Sequence, residues 1–487
     1  MTDTAAKKAV SLYTNESSFA ADLIDVAKLF MPESEFTAVS DNTMSDIVVK
    51  ITQNSLTVEN VAEFGGASFS NSFVIPSKCT ALELKRYKKR HAKIALYNCL
   101  KKIFPKEIPW GSLTGIRPTK LAYEILHNES MDFREVFRNL FDVSPGKVEL
   151  ISEILEQQKG LRIVDENAVD LYIGIPFCTS RCSYCSFTSG VISKLKAHVA
   201  PYVNNLKYEI AQSVQTVNAG GYTVKNVYVG GGTPTSLGAD ELDAVLSYLD
   251  FAKNEFTVEA GRPDTIDDEK LAVLAERGVN RISINPQTFN QATLDAIGRN
   301  HTVKDIADKF SLARRYDFSI NMDLIAGLPS ENFRMFAYSA DSAVALAPDN
   351  ITVHTLALKK GSALKERGGC GGDEEVAAMV DYAREKLAKN GYKPYYIYRQ
   401  KYVADNLENV GYAKRGKACK YNIDIMEETT SILACGCNAI SKRVFPSQNR
   451  IERQANPKDV ITYNRDLEVY LARKKRLFSV NNRIFLK

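Results

Sequence analysis

The chain has 487 residues, enough for about three domain-sized units. Its 45% hydrophobic and 25% charged composition is that of an ordinary globular protein, and a net charge of +5 from 63 basic and 58 acidic residues is too mild to demand a nucleic-acid partner. No run approaches the roughly 18 apolar residues of a membrane span, and the start, MTDTAAKKAVSLYTNESS, lacks the apolar stretch of a signal peptide, so a cytoplasmic location is expected. Nine cysteines are too sparse and too odd in number for a disulfide scaffold, and their clustering points to metal or catalysis.

Residues 1–165 read as an N-terminal α+β domain. Short β-leaning pieces (46–53 and 71–77) precede a long basic helix over 81–104, which Pro105 and Pro109 end. The loop WGSLTGIRPTK (110–120) and helices near 119–128 and 145–160 complete it. From 166 to 365, short apolar runs alternate with amphipathic ones. Strands are expected at 171–175, 226–230, 256–260, 281–285, 319–325 and 350–355, with helices at about 194–218, 239–253, 267–277, 290–298, 302–315 and 332–346. Six β–α repeats rich in Val and Ile predict parallel strands with crossover helices, and polar or Gly-rich loops at the strand ends are where such an α/β barrel builds its site. Residues 366–487 are expected to form a C-terminal helical/β extension with a helix at 373–390, the aromatic run YKPYYIYRQKY (392–402) and a basic tail (472–487).

Just after the first barrel strand, GIPFCTSRCSYCSFTSG places Cys178, Cys182 and Cys185 on one tight loop. Thiolates are soft ligands that select zinc, cuprous ions or iron–sulfur clusters. A structural zinc site wants four ligands, and neither Cys370, Cys419 nor the Cys435/Cys437 pair offers a matching knuckle. Three thiolates suit a cubane that keeps one iron open. The turn GGGTPT (230–235) ends the second strand, where Gly230, Gly231 and Gly232 allow close backbone approach and leave amide donors free for an amino-acid ligand. Glu259 ends the third strand, where a carboxylate can accept both hydroxyls of a ribose, a solvated loop acid being the alternative. Gln287, Arg299 and Asp323 end or follow later strands and could ring the barrel mouth, or serve as salt bridges and caps.

The Cx3Cx2C loop, with Tyr184 before the last cysteine, resembles the signature of the radical S-adenosylmethionine (SAM) superfamily. The resemblance implies a partial (β/α)6 TIM-like barrel and a 4Fe–4S cluster on Cys178, Cys182 and Cys185, whose fourth iron binds SAM. An electron from the cluster would then split SAM into methionine and a hydrogen-abstracting adenosyl radical. The ordered set Y-x-x-I-P-F-C, GGGTPT, E, N-R-x-S-x-x-x-Q, IGRNH and D-L-I-x-G-L-P is similar to the oxygen-independent coproporphyrinogen III oxidases and their relatives. Matched residue by residue, it implies that Tyr172, Gly231 and Glu259 hold the cluster-bound SAM. Tyr184, Gly232, Thr233, Gln287, Arg299, Asp323 and Ala357 match positions that hold a second SAM, so one or two SAM molecules are expected. The runs LTGIRPTK and YYIYRQKYVADNLENVGYA resemble the coproporphyrinogen dehydrogenase (HemZ) branch. The implied reaction is anaerobic oxidative decarboxylation of two propionates of coproporphyrinogen III to vinyls, in haem biosynthesis. It needs a tetrapyrrole substrate and an electron donor such as flavodoxin or ferredoxin.

Two departures stand out: Phe187 replaces a fourth cysteine, and Gly174 a histidine. Phe187 is expected to pack beside the cluster. A haem-binding chaperone of the same subfamily is a rival reading, although KYNIDIMEE lacks the His and Trp of the chaperones' element. An RNA-modifying radical enzyme is a second rival, resting on the basic 83–106 face and lacking a second cysteine set. That face is expected to be solvated, Trp110 and His354 to be core residues, and Cys435 and Cys437 to pack on one face of a strand.

Overall fold

The computed structural model describes residues 8–479 apart from 44, 130, 252, 358–361, 363–372, 400–406 and 449. They form two compact units: one runs to Ser152 and includes Arg399 and Leu407, and the other comprises Glu153–Tyr398 and the chain from Glu408 onward.

The first unit is built on a five-stranded sheet of β1 (Ala9–Thr14), β2 (Glu35–Val39), β3 (Ile47–Gln53), β4 (Thr57–Phe64) and β5 (Ala67–Val74) in the order β2-β1-β3-β4-β5. Apolar residues alternating along β3 and β4 put Ile47, Val49, Val58 and Ala62 in the core beneath helix Ala81–Ile103. That helix starts at a capping box in which Thr80 and Glu83 satisfy each other's backbone. Its basic face is not simply solvated. Lys89 pairs with Asp22 at 2.8 Å, Lys101 with Asp142, and Lys93, 4% exposed, donates to the Thr114 carbonyl at 2.6 Å. Trp110 is a core residue, and the Arg399 guanidinium lies 4.8 Å from its ring centroid while donating to the Leu113 carbonyl at 2.7 Å. Arg399, which ends the run YYIYR, therefore meets the WGSLTG loop within this unit.

In the second unit, β6 (Ala168–Ile175), the short β7 (Phe177–Cys178) and β8 (Gly190–Val191), β9 (Thr223–Gly231), β10 (Glu255–Glu259), β11 (Arg281–Ser283), β12 (Ser319–Ala326) and β13 (Asn350–Thr355) follow the expected alternation with helices. Parallel pairing runs β6-β9-β10-β11-β12-β13, with the helices between them serving as crossover connections. The expected C-terminal extension adds strands to both sides of this sheet. β14 (Lys393–Tyr398) and β15 (Asn409–Ala413) extend the sheet antiparallel beyond β13, while β16 (Ser431–Cys435) joins the other side of β6 in parallel. β17 (Ile440–Phe445) and β18 (Arg450–Ala455) follow as an antiparallel edge, giving eleven strands in all. The sequence reading divides the chain at 165/166 and 365/366; the compact units divide at Ser152/Glu153, and strands from both sides of 366 share one sheet. Cys370 lies outside the described residues. Among those residues no helix is long and apolar enough to cross a membrane.

Gly436 ends β16 with φ +99°, so Cys437 leaves the strand and does not share a face with Cys435. Both thiols are buried, and burial pushes each up to about 12. A Cβ on Gly436 would lie 2.3 Å from the Gly174 carbonyl, and one on Gly174 would lie 3.2 Å from the Cys437 carbonyl. This turn therefore passes against the strand that leads into the cysteine loop, and a side chain at 174 would need the Cys437 carbonyl to give by a few tenths of an ångström. The Tyr202 hydroxyl fixes the same place by donating to the Gly174 carbonyl at 2.5 Å and accepting from Cys437 N at 3.0 Å.

Behind this turn, fully buried Glu209 accepts from Gly436 N (2.6 Å), Asn456 Nδ2 (2.7 Å), Tyr463 Oη (2.7 Å) and Lys474 Nζ (2.5 Å). Every lone pair of the carboxylate is used, and the ion pair ties helix Val460–Phe478 to helix Lys196–Ala219. Removing one partner of such a pair strands a charge in a low dielectric. Lys474→Met is expected to destabilise the protein by about 3 kcal/mol, read as a lower urea midpoint, and pairing it with Glu209→Gln is expected to recover part of the loss.

Candidate active site

Sheet register brings the chemistry-bearing side chains together. Tyr172 is opposite Tyr228, which is opposite Thr257; Glu259 is opposite Ser283, which is opposite Asn321; Asp323 is opposite Thr352. With a side-chain period of two, Tyr172, Tyr228, Glu259, Asn321, Asp323, Thr352 and His354 share one sheet face. The opposite face carries Ile173, Val227, Val229, Val258, Ile282, Met322 and Val353, all buried.

The cysteine loop is closed at its base by β7 pairing with β8, with Gly190 N donating to the Pro176 carbonyl at 2.8 Å. Cys185 N donates to the Cys182 carbonyl (3.1 Å) and Ser183 N to the Ile297 carbonyl (3.0 Å). Burial raises the Cys185 thiol, and the neighbouring Cys182 and Cys178 add to the rise. The GGGTPT turn packs directly on this loop. Gly232 N donates to the Ile175 carbonyl and Thr233 N to the Phe177 carbonyl, both at 2.7 Å, and Thr233 Oγ1 donates to Cys178 Sγ at 3.5 Å. A Cβ on Gly232 would lie 2.5 Å from the Phe177 carbonyl and 3.0 Å from Cys178 Sγ, so only glycine fits. Gly231 has φ +112°, and its N–H serves the Glu259 carboxylate. The expectation that the turn leaves amide donors free is thus corrected: those of Gly231, Gly232 and Thr233 are spent holding the turn to its neighbours.

Glu259 is not a solvated loop acid. Tyr228 Oη donates to its Oε1 at 2.5 Å, and burial, with Asp323 nearby, raises its carboxyl to about 7 despite the bonds from Tyr228 and Gly231. Tyr228 stacks between Tyr172 (centroids 6.3 Å apart, 16° between planes) and Tyr421 (4.5 Å, 21°). Tyr421 comes from helix Lys420–Glu427, the KYNIDIMEE segment.

Asp323 accepts from Asn321 Nδ2 at 2.8 Å and faces His354 Nε2 at 3.5 Å. Burial alone would raise its carboxyl; His354, Asn321 and Thr352 outweigh burial and hold it below the ordinary value. His354 Nδ1 lies 3.0 Å from Tyr398 Oη. His354 is therefore half-buried in the polar face, and its expected core role is corrected. Gln287 sits beside Asp323 through its backbone: its N donates to the Asp323 carbonyl at 2.9 Å, its carbonyl accepts from Ile325 N at 3.0 Å, and its φ is +68°, rare for a residue other than glycine. Arg299 is a strut. Its Nη1 donates to the Gly261 and Asn285 carbonyls, each at 3.1 Å, and its Nη2 to Tyr184 Oη at 3.2 Å, tying two strand-end loops to the cysteine loop. Ala357 follows β13, half-buried, at the edge of the described residues. Phe187 is 64% exposed, so the packing expected of it is not made within the protein.

Residues 172–343 match the sequence model of the Radical SAM superfamily. Over 475 residues, 93% of this chain and 94% of the relative, the sequence is 38% identical to the oxygen-independent coproporphyrinogen-III oxidase-like protein HemZ of Bacillus subtilis (strain 168). The chain belongs to the radical SAM superfamily, in its HemZ branch. It is also 31% identical over 264 residues to the heme chaperone HemW of the same species (52% of this chain, 65% of the relative). An oxygen-independent coproporphyrinogen III oxidase of Pseudomonas aeruginosa is 31% identical over 236 residues (46% and 51%). The fold is similar to that of coproporphyrinogen III oxidase (HemN) from Escherichia coli, with a TM-score of 0.51 at 22% identity over 64% of this chain and 72% of that one.

Membership implies a 4Fe–4S cluster and SAM, and the residues present fit them. Three free thiols share one loop, against which a glycine turn packs too closely for any side chain, and a buried carboxylate ends the adjoining strand. Among the described residues no three His, Cys, Asp or Glu converge as they would about a single ion.

Because the Glu259 carboxyl holds its proton more tightly folded than unfolded, its contribution to stability falls as pH rises from about 4.5 toward about 7. Glu259→Gln in the apo protein is therefore expected to raise stability at pH 8 by about 2 kcal/mol and to change it little at pH 4, as thermal unfolding at the two pH values would read.

Proposed function

We propose that this chain is a radical SAM enzyme that oxidatively decarboxylates two propionate side chains of coproporphyrinogen III to vinyls, yielding protoporphyrinogen IX under anaerobic conditions. The observation that carries the reading is the glycine turn lying directly on the three-cysteine loop, with Glu259 at the end of the adjacent strand, in a chain 38% identical over 93% of its length to a coproporphyrinogen-III oxidase-like protein.

In this reading Cys178, Cys182 and Cys185 hold the cluster. Bound there, cluster and SAM would supply one-electron cleavage of the cofactor and a radical that removes hydrogen from a propionate β-carbon, after which the substrate radical would lose carbon dioxide and pass one electron to an external one-electron acceptor, leaving the vinyl. Gly231 and Gly232 keep the turn tight against the loop. Since their amides are already donated, carbonyl oxygens are the groups left for a ligand's amino group. Tyr228 donates to one oxygen of Glu259 and Gly231 N adds a second bond to the carboxylate, whose remaining lone pairs would accept ribose hydroxyls. Tyr172 stacks on Tyr228 and limits water around the carboxylate. Arg299 sets the loop's far side through Tyr184. In the same reading Thr233, Gln287, Asp323 and Ala357 would line the region where a second SAM or the tetrapyrrole enters. An electron donor of the flavodoxin or ferredoxin class would reduce the cluster.

Reconstituted protein incubated anaerobically with coproporphyrinogen III, SAM and a reductant is expected to form protoporphyrinogen IX and carbon dioxide. SAM cleavage without protoporphyrinogen would rule the substrate out. Titration with haem is expected to give no Soret shift; a saturating shift would favour a haem-carrying role like that named for the HemW relatives. Cys182→Ala is expected to abolish brown absorbance and SAM cleavage together, while Phe187→Ala keeps both.

A further inference from the structure

Arg262 lies in the loop after β10, and its side chain is 4% exposed. Asp264 grips one edge of its guanidinium, Nε reaching Oδ1 at 3.1 Å and Nη2 reaching Oδ2 at 3.3 Å. On the other edge Nη1 donates to the Ser180 carbonyl at 3.3 Å and to Cys182 Sγ at 3.6 Å. Asp264 also accepts from Thr179 Oγ1 at 2.8 Å. The ion pair thus touches three residues of the cysteine loop: Thr179, Ser180 and Cys182. Burial would raise the Asp264 carboxyl, but Arg262, Thr179 and His301 outweigh it and hold it below the ordinary range, so the pair is charged at neutral pH.

Bracing a loop does not require a buried charge; apolar packing does that at lower desolvation cost. A planar fork that meets a carboxylate along one edge keeps the other edge fixed in direction, which a lysine ammonium cannot do. Here the fixed edge delivers an N–H and a positive charge to one cysteine sulfur. Among the described residues Thr233 makes the comparable bond to Cys178.

We propose that Arg262 tunes the metal centre: aimed by Asp264, its guanidinium donates to the Cys182 sulfur and raises the cluster's reduction potential by stabilising the more negative, reduced state. Arg262 is in this sense a positioning and charge-balancing residue. The inference rests on the assignment of the cluster to Cys178, Cys182 and Cys185, which iron content tests separately.

The test compares wild type, Arg262→Gln and Arg262→Lys, reconstituted anaerobically, by iron and sulfide content and by redox titration followed by electron paramagnetic resonance. Arg262→Gln is expected to keep the wild-type iron content and to titrate at a more negative midpoint. Arg262→Lys keeps the charge without the fork and is expected to shift less, in the same direction. A midpoint equal to wild type in a fully loaded Arg262→Gln would overturn the proposal. If that variant takes up no iron, Arg262→Lys decides by the same criterion. Failure of the wild type itself to take up iron would overturn the cluster assignment and this inference with it.

Discussion

The approach of the glycine turn to the cysteine loop is the contact on which the site depends. Gly232 lies where a single added carbon would strike both the Phe177 carbonyl and the Cys178 sulfur. Two backbone hydrogen bonds of 2.7 Å hold the segments there, and the ladder between β6 and β9 sets the register that aligns Gly174 with Gly230 and Ile175 with Gly231. Hence the two most recognisable sequence motifs are neighbours because they sit at the ends of adjacent parallel strands. The glycines act less as loose amide donors than as permission for two chains to touch.

Much of the barrel was legible. Six strands and six helices follow from period and length, since buried parallel strands rich in Val and Ile leave a strong local signal. The site's inner wall was present in the same strands as a weaker alternation. LYIGI, NVYVG, FTVE, INMD and TVHT each place a polar or aromatic residue at every second position. That period-two pattern, in strands otherwise buried on both faces, marks a face turned to a ligand, and it would have singled out Tyr228 and His354. What could not be read was non-local. The pairing of β16 with β6 joins residues more than 200 positions apart, and that of β15 with β13 spans the chain on either side of residue 366, so a continuous sheet looked like a barrel plus an extension. The shared burial of Glu209 and Lys474 likewise joins residues 265 positions apart.

The polar face has a consistent electrostatic design. Its carboxylates differ in environment: Glu259 is raised by burial and accepts a tyrosine hydroxyl, whereas Asp323 is kept low by a histidine and an asparagine. Around them, Tyr172, Tyr228, Tyr398 and Tyr421 belong to one aromatic cluster that offers hydroxyl groups without added charge. Such a wall suits a cofactor carrying a cation and hydroxyls at one end. The arginines nearby are committed to the loops, Arg299 through three hydrogen bonds and Arg262 through Asp264 and Cys182.

The central claim is that the three cysteines hold a cluster whose remaining iron is reserved for SAM. It is tested most directly by electron paramagnetic resonance of the reduced, reconstituted protein before and after addition of SAM. A 4Fe–4S signal whose shape changes on SAM binding is the predicted result. A signal unaltered by saturating SAM, or no cluster signal at all, would contradict it.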